Sequence, residues 1–221
     1  MRPIILRMIA VIFGLYPALA LADGLDPAKL LVQIQKQVGN QILFSHGSGI
    51  SLGNGIILTA AHVVSVDPDN PNVKVLMDGV LVPGRVIRID PAEIRDLALV
   101  QVAPEQLTEP KRTQAPLSIC AENPGLLKPV WVAAQGQVTR SLTVNTPITA
   151  KGQNTNGWTN LLATGYDHGA SGGGVFVMGQ NCLSGIVYLQ MKGPDRVNGG
   201  FLNLTAFVPA AEISDFLSSA P

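Results

Sequence analysis

The sequence predicts an all-β protein built as two six-stranded antiparallel barrels, with a short helix at each end, and three observations carry that expectation. Glycine (23) and proline (16) punctuate a 221-residue chain in which 47% of residues are hydrophobic and only 14% charged. That profile suits many short strands joined by turns, and not a helical bundle, a coiled coil or a disordered chain. Runs rich in β-branched residues recur along most of the chain, bounded by turn signals such as Gly53-Asn54-Gly55 and Asp78-Gly79. These runs fall into two sets of six, separated by an aperiodic, proline-bearing stretch over 103–129. A β-sandwich would produce a similar string, so the pattern alone leaves that architecture open.

Each segment has its own justification. Residues 1–22 read as a secretory signal peptide: Arg2 and Arg7 give a positive start, Met8 to Tyr16 an apolar run, and Ala20-Leu21-Ala22 a small-residue processing site. Nine apolar residues between Arg7 and Pro17 are too few to span a bilayer, which takes about 20. Cleavage after Ala22 leaves 13 basic against 15 acidic residues and sends the chain to the periplasm or outside the cell. That balance offers no field for nucleic acid, and the mature chain has no integral membrane segment.

Residues 23–39 read as an N-terminal helix: Asp26-Pro27 is an N-cap with a first-turn proline, and Leu30, Leu31, Ile34 and Val38 recur at helical spacing up to about Gly39. Residues 40–110 form the first barrel, with strands expected over 40–45, 49–52, 55–59, 73–77, 81–89 and 97–102. Residues 111–128 are a linker. Residues 129–221 form the second barrel, with strands over 130–134, 138–150, 158–163, 173–178, 183–190 and 200–208. After Pro209, Ile213, Phe216 and Leu217 share one face of a C-terminal helix. In an oxidising compartment the pair Cys120 and Cys182 reads as a disulfide, with two buried thiols as the alternative; no His stands at zinc-ligand spacing. Closing a loop of that length would stabilise the fold by roughly 4 kcal/mol in the chain-entropy model.

Three segments carry chemistry. Thr59-Ala60-Ala61-His62 ends a strand in small residues with a histidine just beyond, and Asp96-Leu97-Ala98-Leu99 sets a carboxylate at the start of an apolar strand. Gly169-Ala170-Ser171-Gly172-Gly173 places a serine among glycines, which allow positive φ and let backbone N–H groups approach a ligand. Each has an ordinary structural explanation alone: a core histidine, a strand-start aspartate, a glycine-rich loop. Together, in this order and at intervals of 34 and 75 residues, they resemble the T-A-A-H, D-[IL]-A-L and G-x-S-G-G blocks of the chymotrypsin/trypsin-like serine proteases, in their compact bacterial branch without a PDZ module.

The resemblance implies barrels of chymotrypsin type with a cleft between them, His62 and Asp96 from the first and Ser171 from the second. It implies an endopeptidase acting on polypeptides through an acyl-enzyme, with no cofactor and no metal, and an oxyanion hole made by the N–H groups of Gly169 and Ser171. A protein of the same fold that binds polypeptide without cleaving it is the alternative. The substrate pocket falls by alignment at Gly165, Tyr188, Gln190 and Gly199; with no Asp at its base, a preference for Arg or Lys is not expected. Ala170 departs from the family, whose digestive and clotting members carry there an Asp that pairs with a new N-terminus after activation. That switch cannot operate here. His46, Asp167 and His168 read as loop or strand-start residues, and the Asn203-Leu204-Thr205 sequon as part of a strand.

Overall fold

A computed structural model describes residues 25–37, 44–65, 69–91, 93–144, 160–194 and 201–219. The segment read as a signal peptide (1–22) and Gly199 lie outside the described residues. A one-turn helix, α1 (Pro27–Leu30), starts at Asp26, whose carboxylate accepts the Ala28 N–H at 3.1 Å. The first barrel follows: β1 (Leu31–Gln37), β2 (Phe44–Gly53), β3 (Ile56–Ala60), the one-turn helix α2 (Ala61–Val64), β4 (Asn72–Met77), β5 (Val80–Asp90) and β6 (Leu97–Gln101). Its strand order is β1-β2-β3-β6-β5-β4, closed by β1 against β4 with Ile34 opposite Val75. Val32, Ile34, Ile57, Val75 and Val100 fill its interior.

Between β6 and the second barrel come a 3₁₀ turn (Pro104–Gln106), a one-turn helix α3 (Glu109–Arg112) and a short strand β7 (Ser118–Ile119). The second part of the chain contributes β8 (Pro129–Ala134), β9 (Gln137–Val144), β10 (Leu161–Leu162), β11 (Gly174–Val177), β12 (Cys182–Leu183), β13 (Gly185–Pro194), β14 (Phe201–Pro209) and the terminal helix α4 (Ala210–Ser218). Six of these strands close into a second barrel in the order β10-β14-β13-β11-β8-β9. Strand β12 instead pairs in parallel with β7, and the Cys120–Cys182 disulfide, with Cα atoms 5.1 Å apart, ties the linker to the second barrel beside that pair.

The two barrels share a core of their own. Leu30, Ile50, Leu58 and Leu97 meet Ala133, Phe176, Ile186 and Val208 there, and α4 adds Ile213 and Phe216. Burying this much apolar surface between barrels makes their docking a fixed feature of the fold. On the other side of the Phe216 ring lies the Arg88 guanidinium, 4.4 Å from its centroid, and Arg95 reaches Glu212 at 3.1 Å, so α4 is also fastened to the first barrel.

One expectation is corrected. The segment read as an N-terminal helix is helical for only one turn; Leu31–Gln37 is a strand of the first barrel. Leu30, Leu31, Ile34 and Val38 do fit a helical period, but the side chains that point inward are Val32, Ile34 and Lys36, a period of two. Lys36 hides the alternation. Its ammonium is buried and donates to the backbone carbonyls of Asn70 and Asn72, which satisfies a charge the pattern would place outside. Of the expected strand over 40–45, only 44–45 is described, and it runs on through the expected strand over 49–52 as one strand, β2 (Phe44–Gly53). The count of six was therefore right with a different membership.

Candidate active site

The register between β3 and β6 brings the first two site residues together. Ala60 lies opposite Leu97, so the residues that follow one strand and precede the other are neighbours. In α2, Ala61, Val63 and Val64 are buried and His62 alone turns outward. Asp96 closes a turn in which the Pro91 carbonyl accepts its N–H at 3.0 Å, and it holds a left-handed φ of 55°, a region Asp tolerates better than most residues. Its carboxylate is 1% exposed and both oxygens are occupied: Oδ1 accepts the His62 backbone N–H at 2.9 Å and Oδ2 faces His62 Nδ1 at 2.7 Å. The Ala61 N–H donates to the Asp96 carbonyl at 3.0 Å. A carboxylate only accepts, so Nδ1 carries a hydrogen, and Nε2 is the nitrogen free to act as a base in the tautomer this contact selects.

Ser171 sits in the loop that enters β11. The Ala170 N–H reaches back to the Asp167 carbonyl at 3.2 Å and the Gly173 N–H to the Ala170 carbonyl at 2.9 Å, so the loop is built from tight successive turns. Two of its glycines are required. Gly169 and Gly172 hold φ of 91° and 85°, and a Cβ on Gly172 would lie 2.1 Å from the Ser48 carbonyl oxygen and 2.2 Å from Thr59 Oγ1. The Ser171 loop thus presses directly onto β2 and β3 of the other barrel. The Ser48 N–H donates to the Ser171 carbonyl at 2.8 Å, and the Ser48 hydroxyl to the Gly169 carbonyl at 2.8 Å.

His62 and Asp96 are thus in direct contact, whereas the Ser171 hydroxyl donates to the Tyr188 carbonyl at 3.4 Å. Among the described residues no hydrogen bond joins Ser171 to His62. Tyr188 links the two regions, for its ring stands edge-on to the His62 imidazole with centroids 6.4 Å apart. Burial pushes the Tyr188 phenol above its ordinary pKa, and the negative charges of Asp96 and Glu93 add to the shift. Among the described residues no hydrogen bond uses the N–H of Gly169 or of Ser171, the pair expected to hold an oxyanion.

At the expected substrate pocket, Gly165 lies beneath a side chain that the sequence did not single out for this role. A Cβ on Gly165 would fall 1.8 Å from Asn203 Oδ1. Gln190 Nε2 donates to Asn203 Oδ1 at 2.9 Å and to Asp167 Oδ1 at 3.4 Å, and the Lys192 ammonium pairs with the same Asp167 oxygen at 3.2 Å. The Lys192 hydrogen bond and charge, with the Gln190 bond, hold the Asp167 carboxyl below its usual pKa. Asn203 was legible only as a formal sequon in a strand, and nothing in its neighbours marks a pocket floor. His46 and His168 are exposed. Among the described residues no group of three or more His, Cys, Asp or Glu side chains is placed to hold a metal ion. No described helix is long and apolar enough to cross a membrane.

The family model for the trypsin-like peptidase domain matches residues 47–186. No curated relative matches the sequence. Among solved structures, the active form of the Rv3671c protease of M. tuberculosis superposes with a TM-score of 0.59 at 18% identity, over 88% of this chain and 84% of that one. The HtrA-type protease AlgW, with a tripeptide, gives a TM-score of 0.63 at 18% identity, over 87% of this chain and 60% of that one. A human pathogenic astrovirus serine protease gives 0.53 at 19% identity, over 85% and 94%. Two closed six-stranded antiparallel barrels of the chymotrypsin type, and a family match spanning most of both, lead to one statement: the chain belongs to the trypsin-like peptidase domain family.

Proposed function

We propose that the protein is an exported serine endopeptidase with His62, Asp96 and Ser171 as its catalytic triad. The observation that carries the reading is the buried Asp96 carboxylate, which fixes His62 through both its backbone N–H and Nδ1 at the edge of the loop bearing Ser171. A serine hydroxyl is a poor nucleophile at neutral pH and needs a base. Nε2 of His62 takes the hydroxyl proton as Oγ bonds to the scissile carbonyl carbon, and the carbonyl π pair moves onto oxygen. The resulting imidazolium is stabilised by Asp96. The N–H groups of Gly169 and Ser171 hold the oxyanion. Collapse of the tetrahedral adduct expels the amine, which leaves with the proton from His62, and a water molecule then repeats the sequence on the acyl ester.

The step requires the hydroxyl to exchange the Tyr188 carbonyl for Nε2. That bond, at 3.4 Å, is long and gives little up, and catalytic hydrogen bonds commonly tighten only with substrate. The disulfide supports export, because such bonds persist in oxidising compartments. At the pocket, the Asn203 carboxamide packs over Gly165 and bonds to Gln190, so the expected base carries an uncharged amide, which fits a small uncharged side chain beside the scissile bond.

Digestion of a denatured proteome, read by mass spectrometry, tests the reading. The expected result is cleavage after small uncharged residues, with Ser171→Ala slower by about 10⁴ to 10⁶. Cleavage after Arg or Lys overturns the pocket assignment alone. Peptide binding without cleavage by the unmodified protein overturns the enzyme reading in favour of a binding protein.

A further inference from the structure

We infer that Ser48 and Gln135 are positioning residues that set the Gly169 amide of the oxyanion pair from outside the loop that carries it, Gln135 through the carbonyl of the same peptide and Ser48 by anchoring Gln135. The inference rests on Ser171 being the nucleophile and adds what holds its loop in a reactive shape. In a trans peptide the C=O and the N–H point in opposite directions, so whatever grips the carbonyl aims the amide. The N–H of Ser171 shares a peptide with the Ala170 carbonyl, which the Gly173 N–H holds at 2.9 Å within the loop. The N–H of Gly169 shares a peptide with the His168 carbonyl, and that carbonyl is held by a side chain from another element: Gln135 Nε2 donates to it at 2.6 Å and to the Asp167 carbonyl at 3.2 Å.

Gln135 is itself held in place. It occupies the turn between β8 and β9 at a φ of 54°, and its backbone N–H donates to the Ser48 hydroxyl at 2.9 Å. The same hydroxyl donates onward to the Gly169 carbonyl at 2.8 Å. Ser48 is fully buried, its N–H is spent on the Ser171 carbonyl at 2.8 Å, and its carbonyl accepts from Thr59 Oγ1 at 2.7 Å. One serine of the first barrel therefore fastens the Gly169–Ala170 and Ser171–Gly172 peptides and anchors the turn that aims the Gly169 amide. Ala170, buried among Val130, Val132 and Phe207, offers no ion pair that could do this work. The Ser48–Gln135 bridge supplies a fixed substitute that needs no cleavage to form.

The test compares Gln135→Glu, Gln135→Lys and Ser48→Ala with the unmodified protein, measuring kcat and KM on a peptide identified by the digestion and the thermal unfolding midpoint of each. Glutamate is isosteric with glutamine, but its carboxylate cannot donate to the two carbonyls it would face. The expected outcome for Gln135→Glu is a kcat lower by about 10²-fold, the effect of losing one oxyanion donor, with KM and unfolding midpoint little changed. Gln135→Lys, which keeps a donor, returns kcat to within about tenfold. Ser48→Ala lowers kcat as well and lowers the midpoint. If Gln135→Glu turns over as fast as the unmodified protein, or if Gln135→Lys is as slow as Gln135→Glu, this inference fails and the protease reading stands. If the unmodified protein cleaves nothing, both fall together.

Discussion

The two halves of the site are held in different ways. The His62–Asp96 half is made inside one barrel, from residues brought side by side by a single strand register, and its contacts are hydrogen bonds to one buried carboxylate. The Ser171 half is a loop whose shape depends on Ser48 and Thr59 across the barrel boundary and on the β8–β9 turn at Gln135, which Ser48 anchors. The first half should survive anything that leaves the first barrel folded. The second should be sensitive to how the barrels dock. Under the proposed function, the acid–base pair is made locally and the oxyanion site leans on the docking of the barrels through Ser48.

The sharpest probe of the local half is Asp96→Asn. Asparagine tolerates the left-handed φ at this position, so the backbone stays, but its carboxamide presents the wrong groups to His62. Turnover should fall by about 10⁴ with little change in stability, by analogy with the same substitution in the serine-protease template. A loss below tenfold would detach Asp96 from the chemistry.

The docking half is probed by Phe216→Ala. The ring lies in the core shared by the barrels, and its removal should cost about 3–5 kcal/mol in urea unfolding. Under conditions where the variant stays folded, its kcat should drop while the chemical shifts of the His62 ring remain those of the unmodified protein. Equal disturbance at both halves would break the distinction. Removing the disulfide with Cys120→Ser and Cys182→Ser should cost about 2–4 kcal/mol, measured the same way, with little effect on kcat. The smallest effect expected is at the pocket rim. Lys192→Ala should raise the Asp167 pKa, followed by NMR titration, because the ammonium is the first cause of its depression. A carboxyl with a lowered folded pKa contributes stability above its unfolded value, and that contribution is lost as pH falls through the folded value. The small stability difference between Lys192→Ala and the unmodified protein is therefore present at neutrality and disappears as pH falls below about 4.

Much of this arrangement was legible in the sequence, and the exceptions have physical causes. The three chemical blocks, most second-barrel strands within the described residues and the helix after Pro209 follow from short-range patterns, which local spacing records; the strand expected over 183–190 is instead split, with Leu183 ending β12 beside β7 and the barrel strand starting at Gly185. The strand Leu31–Gln37 was read as helix because a buried lysine occupies one of its inward positions, its charge satisfied by carbonyls far along the chain. Ser48, Gln135 and Asn203 carried no signal because their roles lie in contacts between distant segments. Ser48 meets Gly169 across 121 residues and Gln135 across 87. Small uncharged polar residues in a strand and a turn look ordinary until the barrels close.

The central claim is that Ser171 is a nucleophile activated by His62, and labelling with a fluorophosphonate probe tests it most directly. Intact mass and peptide mapping should find one adduct, on Ser171, absent in Ser171→Ala and formed far more slowly in His62→Ala. An unmodified protein that takes up no label, or takes it up on another residue, would contradict the account.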